Sequence, residues 1–142
     1  MKDKSLILLR GLPGAGKTTL ASLLVKNRML SCFSLDSYFT NEKGEYQFDY
    51  KRNHLAYKAC QSNVEEAMQM EESIILVDQT FALLWEMQPY LDLAKKYEYQ
   101  LFVCTVENRH NGKNQHGISD EQVLKMAKGF SVEILPEDLR EG

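Results

Sequence analysis

Apolar residues fall along this chain in two kinds of pattern. Three short runs are continuous: Leu6-Ile7-Leu8-Leu9, Ile74-Ile75-Leu76-Val77 and Leu101-Phe102-Val103-Cys104. Successive side chains of a strand point to opposite faces, so an unbroken apolar run predicts a strand covered on both sides. Weaker runs at residues 31–35 and 131–135 predict two further strands. Between these runs the apolar residues recur at helical spacing. Residues 18–26 carry Leu20, Leu23 and Leu24; residues 53–70 carry Ala56, Cys60, Val64, Ala67 and Met68; residues 84–97 carry Leu84, Met87, Leu91 and Ala94. Pro89 lies inside the last of these and predicts an interruption or kink, because its ring clashes with the preceding turn and it has no N–H. Residues 119–128 open with Ser119-Asp120-Glu121-Gln122, where Ser119 and Gln122 fit a capping box.

Strands alternating with helices imply an α/β fold, with parallel strands joined by right-handed crossovers and helices on both faces. The expectation is a three-layer sandwich around a five-stranded parallel sheet. At 142 residues the chain has room for one such domain, residues 1–142. Residues 38–51 are polar and aromatic, with a turn at Asn41-Glu42-Lys43-Gly44. Residues 107–117 (ENRHNGKNQHG) have no periodicity at all. Both stretches are loops long enough to carry function.

Charge and composition narrow the classes. Lys plus Arg is 17 and Asp plus Glu is 20, a net charge of −3. That argues against the broad basic face of a protein that coats DNA non-specifically, and leaves room for a local basic site. No apolar run approaches the ~18 residues of a membrane span, and the four apolar residues after Ser5 are too few for a signal-peptide core. Cys32, Cys60 and Cys104 form no Cys-x-x-Cys pair. The expectation is buried, reduced thiols in a cytoplasmic protein.

The decisive segment is Gly11-Leu12-Pro13-Gly14-Ala15-Gly16-Lys17-Thr18, a full match to G-x-x-x-x-G-K-[ST]. It follows a predicted strand and opens a predicted helix, the setting the motif needs. Glycines let the backbone turn tightly, so that the N–H groups of Gly14, Ala15, Gly16, Lys17, Thr18 and Thr19 converge on phosphate oxygens at a helix N-terminus. Lys17 brings a point charge to the β- and γ-phosphates, and the Thr18 hydroxyl is a magnesium ligand. A chance glycine-rich turn would lack the flanking strand and helix. The chain is therefore expected to bind a nucleoside triphosphate with Mg²⁺, in the P-loop NTPase form of the α/β sandwich. No Asn/Thr-Lys-x-Asp guanine motif is present, which favours ATP.

Two carboxylates end predicted strands, Asp36 and Asp78. Ligands of open parallel sheets sit beyond the carboxyl ends of the strands, so both acids would face the phosphates. Asp78, after Ile-Ile-Leu-Val, has the form of a Walker B aspartate that holds Mg²⁺; a loop or cap acid is the plainer reading. Asp36 could take a proton from an attacking hydroxyl, or simply cap a turn. Glu107 closes the fourth strand and is read as structural. His110 and His116 lack a metal-ligand spacing. Trp85 reads as a packing residue. The aromatics Tyr38, Phe39, Tyr46, Phe48 and Tyr50 either pack their loop or stack on a base, and Lys51 and Arg52 beside them are either solvated or meet a nucleic acid backbone.

These residues resemble a known group. The strings Arg10-Gly11-Leu12-Pro13-Gly14-Ala15-Gly16-Lys17-Thr18, Asp36-Ser37-Tyr38-Phe39, Val77-Asp78-Gln79-Thr80 and Trp85-Glu86-Met87-Gln88-Pro89-Tyr90 are similar to the P-loop polynucleotide 5′-kinase family. The likeness is strongest to its kinase-like relatives in animals, among them the P-loop domain of 2′,3′-cyclic-nucleotide phosphodiesterase. Lys113-Asn114-Gln115, Ser119 and Leu124-Lys125-Met126 also resemble the relatives' region after strand four. The resemblance implies that Asp36 is the general base on a 5′-hydroxyl, and that a basic lid at about residues 107–117 covers the phosphates. The lid cations would be Arg109 and Lys113, with His110 and Lys125 as further candidates, and such cations offset charge in the transition state.

Departures from the pattern affect the acceptor. Phe39 stands where phage-type enzymes carry an arginine, and Gln79-Thr80-Phe81 stands in place of Asp-Thr-Asn. No His-x-Thr pair and no Asp-x-Asp-x-Thr occurs, so the sequence carries neither a cyclic phosphodiesterase nor a 3′-phosphatase site of those types. Three functions remain: phosphoryl transfer to a nucleic acid 5′-hydroxyl, a kinase for a small hydroxyl compound such as a nucleoside, antibiotic or sugar nucleotide, or a nucleotide-binding switch that phosphorylates nothing. Having both Lys17 and Asp36 argues against the last, since a pure binder needs no base.

Overall fold

The computed structural model describes residues 3–25, 31–35, 38–109 and 118–130. Four strands, β1 (Ser5–Arg10), β2 (Ser31–Ser34), β3 (Ile74–Asp78) and β4 (Gln100–Thr105), alternate with helices α1 (Lys17–Val25), α2 (Asn53–Gln69), α3 (Leu84–Lys96) and α4 (Asp120–Lys128). A 3-10 turn, Tyr50–Arg52, leads into α2. Every pairing is parallel and the strand order is β2-β3-β1-β4. The described sheet thus has four strands; the fifth, expected at residues 131–135, lies outside the described residues.

Pleating divides the two central strands between two layers, because alternate residues face opposite ways. Leu6, Leu8, Ile75 and Val77 pack with Cys60, Val64, Met68, Met87 and Tyr90 of α2 and α3. Leu9 and Leu76 turn to the other face and meet Ala21 of α1. Register sets Leu9 beside Asp78 and Arg10 beside Thr105, so the chain leaves β1 level with the last residue of β3.

Several expectations need correction. β4 is not covered on both faces: Phe102 is 46% and Val103 48% exposed. It ends the described strand order with β1 as its one neighbour there, so its burial is not fixed by its own sequence. Cys60 is buried as expected, but Cys32 and Cys104 are exposed, since they sit on the two outer strands of the described sheet. Leu23 and Leu24 of α1 are exposed as well. Pro89 does not interrupt α3, which runs through it from Leu84 to Lys96. Ser119 does cap α4, its hydroxyl oxygen accepting the Gln122 N–H at 3.2 Å.

Candidate phosphate-binding site

The loop between β1 and α1 is shaped by its glycines. Gly14 and Gly16 adopt φ of 84° and 102°, where a side chain would be strained. Gly11 is needed for space: a Cβ there would lie 2.7 Å from the Val106 carbonyl oxygen. The Gly11 N–H donates to Thr80 O at 3.2 Å, and the Val106 N–H donates to Arg10 O at 2.7 Å, which pins the loop between the ends of β3 and β4. Ala15 is buried under the loop, whereas Thr18 and Thr19 are exposed at the start of α1. The Lys17 ammonium curls back over the loop and donates to Gly11 O at 2.7 Å and Leu12 O at 3.2 Å.

Thr18 and Asp78 come together although 60 residues separate them. The Thr18 hydroxyl donates to Asp78 Oδ2 at 3.3 Å, from the first turn of α1 to the last residue of β3. Asp78 is largely buried at the sheet edge, immediately beside the phosphate-type loop. A hydroxyl and a carboxylate converging there offer two hard oxygen donors to a divalent cation, the type Mg²⁺ takes.

The turn after β3, where Gln79-Thr80-Phe81 departs from the family pattern, is heavily tied to the rest of the domain. Arg10 is 3% exposed and clasps the turn: its Nε and Nη2 donate to Phe81 O at 3.0 and 2.7 Å. Its guanidinium also lies over the Phe130 ring, 4.1 Å from the centroid. Phe81 is fully buried, stacks edge-on against Tyr90 and carries a φ of 48°, rare for a bulky residue. Gln79 Nε2 donates to Tyr90 Oη at 3.0 Å and to Cys60 Sγ at 3.4 Å. Burial is the main force pushing the Tyr90 phenol and the Cys60 thiol above their usual ranges, so both stay protonated at neutral pH. The sequence marks this turn only through the Gln79-Thr80-Phe81 departure, and gives no sign of the Arg10 clasp.

Asp36, Lys113, His110 and His116 lie outside the described residues. Arg109 is exposed and ion-paired with Glu107, Nε to Oε2 at 2.6 Å. Lys125 is exposed in the last turn of α4. The loop at residues 38–51 divides between its two readings. Phe39 is buried against Tyr38, Tyr46 and Phe48, with ring centroids 5.2, 6.4 and 5.0 Å away. Tyr50 is exposed. Trp85 packs its ring against Tyr57 of α2, with centroids 6.3 Å apart, but stays 63% exposed at the start of α3.

Comparison with known proteins agrees with this architecture. Residues 6–131 match the family model of an AAA domain, AAA_33. Human NEDD4-binding protein 2 is 35% identical over 133 residues, which cover 88% of this chain and 8% of that protein. Rat 2′,3′-cyclic-nucleotide 3′-phosphodiesterase is 24% identical over 144 residues, covering 94% of this chain and 33% of the relative. The chain thus spans a minor part of either relative. Among solved structures, a chain of the Pnkp1/Rnl/Hen1 complex superposes with a TM-score of 0.62 at 16% identity, over 100% of this chain and 44% of that one. The Mycobacterium tuberculosis APS kinase CysC, as its Cys556Ala mutant, gives 0.52 at 15% identity, over 91% of this chain and 98% of that one. At these identities the superpositions establish a shared fold: an α/β domain with a parallel sheet and a phosphate-type loop after its first strand.

Proposed function

The chain belongs to the AAA domain family AAA_33, and from that premise we propose that it transfers the γ-phosphoryl group of ATP, with Mg²⁺, to the 5′-hydroxyl of a nucleic acid. The observation that supports the ATP and Mg²⁺ part is the Thr18–Asp78 contact of 3.3 Å beside a glycine-shaped loop at the head of a helix, and the acceptor is taken from the motif resemblance. In this reading Gly11, its own N–H held by Thr80 O, gives the loop its close approach, and the N–H groups of Gly14, Ala15, Gly16, Lys17, Thr18 and Thr19 provide the phosphate cradle. Lys17 exchanges the carbonyls of Gly11 and Leu12 for β- and γ-phosphate oxygens when nucleotide enters. Thr18 and Asp78 fit Mg²⁺ by donor type and by their convergence, and would hold it there. The bound ion offsets phosphate charge.

Asp36 is assigned as the general base, taking the proton as the acceptor oxygen bonds to the γ-phosphorus and the bond to the ADP oxygen breaks. Arg109 and Lys113 are assigned to a lid over residues 107–117 that places positive charge on the transferring group and keeps water out. Arg109 would leave Glu107 to do so.

The second reading, a small-molecule kinase, has support of its own. Phe39 and Gln79 replace a basic and an acidic position of the phage-type pattern, and the APS kinase superposition covers nearly that whole chain. Transfer of label from γ-labelled ATP separates the two readings. The acceptors are 5′-hydroxyl RNA, 5′-hydroxyl DNA and a panel of small hydroxyl compounds, each with wild type and Asp36→Asn. The expectation is labelled polynucleotide, with Asp36→Asn retaining ATP binding but losing about 10²–10⁴-fold in transfer. Label on small compounds alone selects the second reading. Transfer within a few-fold of wild type in Asp36→Asn removes the base assignment.

A further inference from the structure

Helix α4 is held to the domain by very little. None of its nine residues is buried. Val123, Met126 and, just past the helix, Phe130 are half-buried, and their spacing places them on one narrow stripe. Leu124, Lys125 and Lys128 are exposed. Among the described residues no hydrogen bond or ion pair joins α4 to another element. The contact at its end is of another kind. The Phe130 ring covers the Arg10 guanidinium, with Cζ 4.1 Å from the ring centroid. Both partners are fixed. The Phe130 N–H donates to Ala127 O and the Gly129 N–H to Met126 O, each at 3.2 Å, so the ring moves with the helix end. Arg10 is buried, and its Nε and Nη2 donate to Phe81 O. Attraction between a cation and a ring is strongest where water is excluded, as it is here.

The place of this contact matters. Arg10 is the last residue of β1, at the carboxyl edge of the sheet with Asp78 and the loop. A helix that crosses over to a parallel strand ends at the opposite edge, as α1, α2 and α3 do before β2, β3 and β4. Helix α4 ends instead on Arg10, and its basic last turn, with Lys125 and Lys128, comes to the edge that holds the phosphate-type loop. Arg10 also holds the start of the same stretch. Its carbonyl accepts the Val106 N–H at 2.7 Å, where the chain leaves β4. The chain that departs at Val106 and returns at Phe130 therefore closes on one residue, and that residue directly precedes Gly11.

We propose that Phe130 is a positioning residue for phosphoryl transfer: by stacking on Arg10 it pins the end of α4 at the phosphate edge and so sets Arg109, Lys113 and Lys125 for the transferring group. This rests on the reading that cations after β4 act on the γ-phosphoryl group. Phe130 touches none of the reacting atoms and acts through Arg10 and α4. A helix anchored on one thin stripe has little free energy of docking to lose. Removing its end contact therefore shifts it toward an undocked population, and the rate falls with the fraction that remains docked.

Hydrogen exchange of the full chain without nucleotide reads the docking, and transfer of label from γ-labelled ATP to 5′-hydroxyl RNA reads the function. Phe130→Leu keeps an apolar side chain and loses the ring, whereas Phe130→Tyr keeps the ring. The amides of α4 should exchange about 5- to 30-fold faster in Phe130→Leu, the worth of one cation–ring contact, and near the wild-type rate in Phe130→Tyr. In the transfer assay kcat should fall by about 3- to 30-fold in Phe130→Leu, with KM for ATP changed less, and return in Phe130→Tyr. In a background of Arg109→Ala, Lys113→Ala and Lys125→Ala, Phe130→Leu should cost under about twofold more, because the cations it positions are gone. A residue that served the fold alone would show its full effect in that background. Unchanged α4 exchange in Phe130→Leu overturns the anchor. Faster exchange with wild-type kcat, or an undiminished loss in the triple background, overturns the positioning role and leaves the kinase reading standing. Wild type that labels no acceptor removes the kinase reading, and exchange with Mg²⁺ and a non-hydrolysable ATP analogue then decides the anchor. Slowing of α4 in wild type that is lost in Phe130→Leu keeps it, and equal slowing in both overturns it.

Discussion

Two turns leave the same edge of the sheet from adjacent strands, and they are built in opposite ways. The loop after β1 is made of backbone. Gly14 and Gly16 take positive φ without cost, and Lys17 and Thr18 are presented by the helix start. The turn after β3 is made of side chains. Phe81 holds a φ of 48°, a conformation that costs a non-glycine residue free energy, and burial, the Tyr90 ring and the Arg10 clasp keep it there. A turn built of glycine can aim its N–H groups inward at a ligand. A turn built of packed side chains uses its groups on the protein itself and serves as the wall against which the loop is set, through the 3.2 Å bond from the Gly11 N–H to Thr80 O.

The largest expected effect tests the first half of this contrast. Lys17→Ala should abolish nucleotide turnover while the unfolding transition moves little. Its ammonium holds two loop carbonyls at a partly buried site, and a hydrogen bond there contributes about 1 kcal/mol. A coupled ATPase assay, calorimetric titration with ATP and a urea melt read the three quantities. Wild-type affinity and turnover would mean that the loop is not a ligand site. A collapse in stability would mean that it, too, is held by its side chains.

Arg10→Ala tests the other half. It removes a buried guanidinium and leaves the Phe81 carbonyl without its donor, so about 2–3 kcal/mol of stability should go. The urea midpoint measures the loss. ATP affinity should fall as well but by less than in Lys17→Ala, since Arg10 acts on the loop only through the wall. A loss under about 0.5 kcal/mol would show that the turn keeps its shape unaided.

How far each turn is legible in the sequence follows from the same physics. The loop after β1 is local chemistry: glycine spacing, then Lys-Thr, then a helix pattern, all within adjacent residues. The Thr18–Asp78 contact is legible because parallel strands bring their carboxyl ends to one edge. Arg10 is not, because its partner is 71 positions away and nothing in a cation after four apolar residues says that it turns inward. The exposure of β4 and of Cys32 and Cys104 escapes the sequence for a related reason, since a strand's pattern records its own polarity and not which neighbours cover it. Residue type alone reads Trp85 as a packing residue, and it does meet the Tyr57 ring, yet nothing in the helix pattern says that most of the indole stays exposed.

The smallest effect sharpens the contrast by setting its unit. Gly44 has a φ of 80° and open space around it, with no heavy atom within 4 Å of where a Cβ would stand. It closes the turn in which the Gly44 N–H donates to Asn41 O at 3.0 Å. Gly44→Ala therefore isolates the backbone cost of a side chain at positive φ, about 1–2 kcal/mol, with no packing change. Gly14 has nearly the same φ, 84°. If the loop after β1 is backbone alone, Gly14→Ala should lower stability by about the amount seen for Gly44→Ala and should additionally weaken ATP binding, because the N–H groups around it no longer converge. Paired urea melts and ATP titrations of the two variants make the comparison. A loss at Gly14 well above that at Gly44 would reveal crowding inside the loop, which would then resemble the turn after β3. An equal loss with ATP affinity unchanged would leave Gly14 shaping the chain without shaping the site.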